Sequence, residues 1–234
     1  LFSIIDNYYV FMKKYSFLFF FLSVVTSTVF AQTPSPEEFL GYPLGSKFTP
    51  HQKVVDYFKK VATTSKNIQL QVYGKTYEGR DLLLAVISDQ ANMDNIDQIR
   101  TSNLALAKAD KNATKLTKQP AIVWLSYNVH GNEANSTETS MKVIYTLATA
   151  KDSKTKEWLK NTVVIIDPCL NPDGRDRYVN NYNMIAAKVP NPDPMAMEHI
   201  EPWPGGRPNH YYFDLNRDWA WQSQVESQQR IAAY

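Results

Sequence analysis

Apolar positions recur along the chain with two different periods, and these periods predict alternating helices and strands. Helical spacing of apolar residues predicts helices from Thr49-Pro50 to about Ser65, over Asn95–Ala109, Thr137–Ala150 and Lys154–Lys160, and from Gln222 to Tyr234. Alternating or continuous runs of apolar and β-branched residues predict strands over Ile68–Tyr73, Leu82–Ser88, Ala121–Tyr127 and Val163–Asp167. The first two strands are expected to form a hairpin. Helices that alternate with buried strands indicate an α/β fold, with a sheet layered between helices.

Two stretches lack either period. Gln32–Lys47 contains several prolines and glycines and is expected to be an extended lead-in. Asn171–Tyr212 contains many more prolines and is expected to be one long loop. A loop of this length within a compact domain is usually functional. His51, at the start of the first helix, is expected at the surface.

The N-terminus has the features of a secretory signal peptide. Met12-Lys13-Lys14 forms a positive region, Tyr15–Val25 is an apolar run rich in Phe, and Val29-Phe30-Ala31 provides small residues before a cleavage site. The apolar run is shorter than the ~20 residues that a membrane anchor needs. We therefore expect residues 1–11 to be upstream translated sequence and residues 12–31 to be a signal peptide. Cleavage near Ala31 would give a periplasmic or secreted product without a stable membrane anchor.

The composition indicates an ordinary globular domain. Of the 234 residues, 44% are hydrophobic and 21% are charged, and the formal net charge is +2. This near-neutral balance gives no indication of a nucleic-acid partner. With one cysteine, Cys169, the sequence has no intrachain disulfide and no cysteine-based zinc site. Cys169 lies in an apolar run and is expected to be a buried, inert thiol.

The candidate chemistry begins where the strand Ala121–Tyr127 ends. His130-Gly131-Asn132-Glu133 follows it, and reactive groups often lie at this end of a buried strand. An imidazole and a carboxylate three residues apart can face one ion if the chain turns sharply, which Gly131 permits. The alternative is that Glu133 begins a helix and His130 is an incidental loop residue.

Four short stretches then occur in a fixed order. They are Tyr77-Glu78-Gly79-Arg80, His130-Gly131-Asn132-Glu133, Asn171-Pro172-Asp173-Gly174 and GGRPNHYYFDLNRDW at Gly205–Trp219. Together they resemble the zinc carboxypeptidases of the funnelin type, and the last is similar to the GRxN…DLNRNF segment of the carboxypeptidase D, E and N branch. The resemblance covers roughly residues 48–234. It implies a mixed, mostly parallel sheet between helices and an exported enzyme that hydrolyses the C-terminal peptide bond of peptides or proteins.

The resemblance also implies a role for each matching residue. His130 and Glu133 would bind one Zn²⁺ ion. Asn216 and Arg217 would bind the free C-terminal carboxylate of the substrate, because a guanidinium fork matches a carboxylate and stays charged. Arg207 would polarise the scissile carbonyl and stabilise the oxyanion. From the residues alone, Arg217 could instead pair with a neighbouring aspartate, and Arg207 could be a solvated surface residue.

The chain departs from the family pattern in two ways. Asp218-Trp219 replaces the Asn-Phe of the D, E and N branch. The family's third zinc ligand, its general-base glutamate and a substrate-contacting tyrosine all follow the DLNR segment. His199 and His210 precede that segment and do not fit as ligands, and Glu226 comes too early to be the base. The chain is therefore expected to be an N-terminal fragment that is inactive by itself.

Two alternatives remain open at this stage. One is a zinc deacylase or amidohydrolase that uses the same two ligands on N-acyl amino acids. The other is a metal-free binding module that keeps the sheet and a groove. The sequence does not indicate the side-chain preference, the oligomeric state, or whether the product is periplasmic, secreted or attached to the surface.

Overall fold

The structure, a computed structural model, describes residues 32–110 and 119–234. The predicted signal peptide and the upstream stretch lie outside the described residues. In the described ranges the helices are α1 (Pro36–Leu40), α2 (His51–Thr64), α3 (Gln90–Met93), α4 (Ile96–Ala107), α5 (Asn135–Ala148), α6 (Ser153–Asn161), α7 (Pro172–Ile185) and α8 (Val225–Ala233), with 3₁₀ turns at Met197–His199 and Leu215–Arg217. The strands are β1 (Ile68–Lys75), β2 (Asp81–Ile87), β3 (Ala121–Ser126) and β4 (Thr162–Asp167).

The strands form one four-stranded sheet in the order β1-β2-β4-β3. β1 and β2 are the predicted antiparallel hairpin, β2 pairs antiparallel with β4, and β3 pairs parallel with β4. The mixed α/β sheet is thus confirmed, although the parallel share among the described strands is smaller than predicted. The parallel pairing matters for the site, because it brings the C-terminal ends of β3 and β4 side by side.

Helices cover both faces of the sheet, as predicted. On one face, α2 and α5 pack against alternate residues of β2 and β4, and the side chains buried there are Val54, Tyr57, Phe58, Val61, Leu83, Ala85, Ile87, Met141, Ile144, Val164 and Ile166. Alternate residues of a strand point to opposite faces, so the remaining strand residues face the other layer. There α4 and α8 border a groove of about 780 Å³ over Ile122, Trp124 and Ile165.

Strand β3 differs from the prediction of a central strand buried on both faces. It lies at an edge of the described sheet, and Ala121, Ile122 and Val123 are exposed. Apolar composition predicted the strand correctly, but composition does not determine whether a neighbouring strand covers it.

The segment expected to be one long loop contains the 14-residue helix α7. Asn171 begins it, because its side-chain oxygen accepts the N–H of Gly174, and Pro172 occupies the first helical turn. No apolar periodicity was visible because the helix buries the polar residues Asp173 and Arg175 along with Val179. The loop prediction was therefore wrong for this part.

Two further predictions near the N-terminal side were also wrong. The lead-in contains the short helix α1, which begins with a capping box between Ser35 and Glu38. His51 is buried rather than exposed, its Nε2 lies 3.1 Å from the carbonyl oxygen of Asp81, and burial lowers the pKa of its imidazole. Helix α2 begins without a side-chain cap, and the hydroxyl of Thr49 donates to Glu138.

Among the described residues, none of the helices has both the length and the apolar character that crossing a membrane requires.

Candidate metal and substrate site

The loop after β3 brings the two predicted metal ligands together. The N–H of Glu133 donates to the carbonyl oxygen of His130 at 3.0 Å, which closes a turn between them. His130 Nδ1 then lies 2.9 Å from Glu133 Oε1. The imidazole is buried, with 8% of its side chain exposed, whereas 55% of the Glu133 side chain is exposed. A buried nitrogen and an accessible carboxylate oxygen therefore converge on one point at the surface.

Gly131 has a different role from the predicted one. Its backbone does not adopt a left-handed conformation. Among the residues of this loop, Asn128 has a positive φ, of 58°. A side chain at Gly131 would instead collide with the backbone of Gly174, Arg175 and Gly206. Glycine is required here because three backbone segments approach one another closely.

Asp214 contacts the other nitrogen of the predicted histidine ligand. Its Oδ1 lies 3.1 Å from His130 Nε2, so a proton on Nε2 makes a hydrogen bond and leaves a lone pair on Nδ1. This is the tautomer that a metal ligand needs when Nδ1 faces the ion. Burial raises the pKa of the Asp214 carboxyl, whereas hydrogen bonds from Arg207 and from the N–H of Asn216 lower it. The lowering is larger, so the pKa lies below its ordinary value.

The donor set fits zinc as far as these residues extend. Neutral imidazole nitrogen and carboxylate oxygen are both usual zinc ligands, and a histidine ligand commonly donates its other N–H to a carboxylate. The described residues bring two such ligands together and supply the carboxylate partner, Asp214. Sequence reasoning missed Asp214, although its place at the start of the DLNR segment could have drawn attention to it.

Arg207 belongs to the same chain of contacts. Its Nε and Nη2 lie 3.2 Å and 3.0 Å from Asp214 Oδ2, and 45% of its side chain is exposed. The residue predicted to stabilise an oxyanion is therefore joined to Nε2 of His130 through Asp214. Within the described residues, no hydrogen-bond partner is found for its Nη1, which stays available to a ligand.

Asn216 and Arg217 lie on the 3₁₀ turn immediately after Asp214. Asp214 caps this turn, because its Oδ1 accepts the N–H of Asn216 at 2.9 Å. Both side chains are exposed, and neither has a hydrogen-bond or ion-pair partner in the described part of the chain. The alternative in which Arg217 pairs with Asp214 or Asp218 is therefore not what the structure shows, since Asp214 binds Arg207 and Asp218 accepts hydrogen bonds from Ser223 and Gln224.

A second group of acidic and imidazole side chains lies at the EGR turn. Ligand atoms of Glu78, Asp173 and His210 lie within 4.8 Å of one another. Arg80 is already in contact with two of them, since its Nη1 binds both Glu78 and Asp173, and its Nε donates to Asp176 at 2.8 Å. The guanidinium thus pairs with both carboxylates, and the cluster joins the EGR turn to the start of α7.

The remaining singled-out residues take structural positions. His199 is exposed and contacts the carbonyl oxygen of Asn191 at 2.7 Å, which agrees with a loop role. Glu226 is buried on α8, where its Oε2 accepts from Asn209 at 3.3 Å. Cys169 is buried as predicted, and burial raises the pKa of its thiol to about 12, so it stays protonated and unreactive at neutral pH.

A family model for the zinc carboxypeptidases matches residues 54–233. This match covers more than half of the chain, and the chain belongs to the zinc carboxypeptidase family. The narrower assignment to the D, E and N branch stays a prediction. A search of curated protein sequences found no match.

A solved structure of a metallocarboxypeptidase shares the fold. A metallo-carboxypeptidase from Burkholderia cenocepacia matches with 16% identity and a TM-score of 0.51, over 80% of this chain and 37% of that one. The carboxypeptidase A of Helicoverpa armigera matches with 17% identity and a TM-score of 0.47, over 80% of this chain and 42% of that one. The chain thus spans well under half the length of these relatives.

Proposed function

We propose that the intact protein is an exported zinc carboxypeptidase that removes the C-terminal residue from peptides or proteins. The observation that carries the proposal is the convergence of His130 Nδ1 and Glu133 Oε1 at 2.9 Å, with Nε2 of the same imidazole tied to Asp214. Family membership supports the metal and the peptide substrate. The proposal assigns the third ligand and the general base to chain beyond Tyr234, and gives neither role to His199, His210 or Glu226.

The described residues have distinct tasks in this proposal. His130 and Glu133 would hold zinc, which would supply Lewis-acid chemistry toward a carbonyl and a water molecule. Arg217, with Asn216 beside it, holds the free carboxylate of the substrate, because its guanidinium is exposed and unpaired among the described residues. Arg207 donates its remaining N–H groups to the developing oxyanion. Holding the last residue at both its free carboxylate and its scissile carbonyl in this way can lower the activation barrier by several kcal/mol.

The test is an assay of the intact protein on blocked dipeptides, with and without a zinc chelator. We expect chelator-sensitive release of the C-terminal amino acid, loss of that release in His130→Ala, and strong weakening in Arg217→Ala. His199→Ala is the matched control, because it removes an exposed imidazole that contacts only the loop, and it should leave activity unchanged.

Other outcomes would select the alternatives. Activity on N-acyl amino acids alone would show a deacylase. A folded protein that neither binds zinc nor turns over any substrate would show a binding module. Equal losses in His130→Ala and His199→Ala would contradict the assigned metal site.

Export is a separate part of the proposal. It rests on the positive, apolar and small-residue regions between Met12 and Ala31. Sequencing the N-terminus of the mature protein should give Gln32 as the first residue. A mature protein that retains Met12 in the cytoplasm would contradict export without affecting the metal site.

A further inference from the structure

A buried amide holds the loop that carries the predicted zinc ligands. Asn128 is 4% exposed, and its Nδ2 donates to the carbonyl oxygens of His130 at 2.6 Å and Gly131 at 3.3 Å. Its Oδ1 accepts the hydroxyl of Thr137 at 3.0 Å. One side chain thus joins the start of the loop, its metal-facing turn and helix α5. Because the carbonyl of His130 also accepts the N–H of Glu133, the amide is anchored at the turn that separates the two ligands.

A buried guanidinium holds the same loop from the other side. Arg175 of α7 is fully buried, and its Nη1 contacts Asn128 Oδ1 at 3.3 Å and donates to the carbonyl oxygen of Ala134 at 2.5 Å. Asn128 and Ala134 are the two ends of the loop, so one guanidinium group spans it. Its Nη2 donates to the carbonyl oxygen of Thr49 at 2.9 Å and to Glu138 at 2.8 Å.

The charge of Arg175 is balanced within the same network. Glu138, near the start of α5, contacts Arg175 and also accepts the N–H and the hydroxyl of Thr49 at 2.6 Å and 2.8 Å. A buried ion pair of this kind is retained only when its remaining hydrogen-bonding positions are filled. The residue Thr49 before α2 and the helices α5 and α7 are thereby tied together.

We propose that Asn128 and Arg175 are positioning residues that set the geometry of the two zinc ligands. Neither side chain contacts the metal-facing atoms themselves. They act by fixing the backbone of residues 128–134, so that His130 Nδ1 and Glu133 Oε1 converge before any ion binds. The inference rests on the metal site of the proposed function, and it adds two residues that the motif does not contain.

The first test separates the amide of Asn128 from its backbone conformation. Asn128→Gly removes the side chain but adopts the left-handed φ of 58° without strain. We expect zinc affinity of the intact protein, measured by competition with a chromophoric chelator, to fall about 10- to 100-fold, as for other residues that hold a ligand in place. Gln222→Gly is the matched control: it replaces another left-handed residue, exposed and outside this network, and should bind zinc as the parent does.

A second variant covers the case in which Asn128→Gly does not fold. Asn128→Asp keeps the size of the side chain, but an ionised carboxylate cannot donate to the two carbonyl oxygens. It should lose zinc affinity to a similar degree. Arg175→Lys, which keeps the charge but cannot make all the contacts of the fork, should also bind zinc more weakly.

Thermal unfolding in excess chelator provides the readout that distinguishes positioning from general stability. The proposal requires that zinc affinity falls by more than the loss of stability accounts for. That loss of stability is measured as the change in the unfolding temperature of the metal-free protein. Zinc affinity within threefold of the parent in folded Asn128→Gly would overturn the inference while leaving the proposed function intact. A parent protein that binds no zinc would overturn both.

Discussion

The floor of the candidate site and its rim each contain an arginine–carboxylate ion pair, and the two pairs differ in burial. In the floor, Arg175 Nη2 lies 2.8 Å from Glu138, with 0% and 6% of the side chains exposed. At the rim, Arg207 Nη2 lies 3.0 Å from Asp214, with 45% and 26% exposed. Similar contacts therefore have different consequences. The buried pair is costly to disrupt because water cannot replace a lost partner, whereas the rim pair is partly screened and its arginine can reach a substrate.

The floor pair gives the largest expected effect. Glu138→Ala leaves the buried guanidinium of Arg175 without its carboxylate partner and the N–H of Thr49 without its acceptor, so we expect the free energy of unfolding to fall by about 3–5 kcal/mol. Denaturant unfolding in excess chelator measures this without a contribution from metal. Glu157→Ala, an exposed glutamate on α6, should change the same quantity by less than about 0.5 kcal/mol. A loss below about 1 kcal/mol in Glu138→Ala would mean that the network is not held by this pair.

The floor residues Asn128 and Arg175 were not predicted from the sequence, and neither was Asp214 at the rim. The motif residues His130 and Glu133 could be found because an imidazole and a carboxylate three residues apart after an apolar strand have a specific chemistry. The residue types and spacing of Asn128 and Arg175 do not indicate a particular kind of site. Their importance comes from contacts between residues far apart in the chain, such as Arg175 to Thr49, which spacing does not reveal.

The same reason explains which elements of the fold were predicted correctly and which were not. The hairpin and helices α4 to α6 follow from local periodicity, and they were predicted to within a few residues. Helix α7 was missed because it buries Asp173 and Arg175, which a search for apolar periodicity counts as exposed positions. His51 was misplaced for the same reason. Polar residues were mispredicted where the structure buries them with partners.

A buried carboxylate in the sheet should make stability depend on pH. Asp167, at the end of β4, is fully buried; its Oδ2 accepts the hydroxyl of Tyr73 at 2.9 Å. Burial raises the pKa of this carboxyl to about 7; the Tyr73 hydrogen bond and the charge of Arg230 oppose the rise. The folded protein thus holds this proton more tightly than the unfolded chain, where the pKa is about 3.9. Asp167 therefore lowers stability progressively from about pH 4 to pH 7 and by a constant amount above it.

This effect has a maximum slope of about 1.4 kcal/mol per pH unit. Asp167→Asn removes the titrating group and should remove the slope, so the difference in unfolding free energy between parent and variant should change between pH 4 and pH 7 and then level off. Urea unfolding at several pH values measures it. A difference that is constant from pH 4 to pH 8 would show that Asp167 titrates with its ordinary pKa, and that burial at the end of β4 does not affect it.

The rim pair should give the smallest change in stability and a large change in activity. Arg207→Ala removes a partly exposed partner, and Asp214 keeps its contacts with His130 and the N–H of Asn216. We expect the free energy of unfolding to change by less than about 1 kcal/mol. In the intact protein the proposed function predicts a fall in kcat/KM of about 10²- to 10³-fold, because it makes Arg207 a donor to the oxyanion.

Arg207→Lys sharpens this last comparison, because it keeps the charge but not the two-pronged contact with Asp214. If Arg207 acts mainly through its charge on the oxyanion, the lysine should recover part of kcat/KM while zinc affinity stays at the parent value. If instead Arg207 acts through Asp214 on His130, both variants should bind zinc more weakly, and the lysine should recover little. A loss of stability in Arg207→Ala as large as that in Glu138→Ala would contradict the distinction between rim and floor, since burial would then not determine what each ion pair contributes.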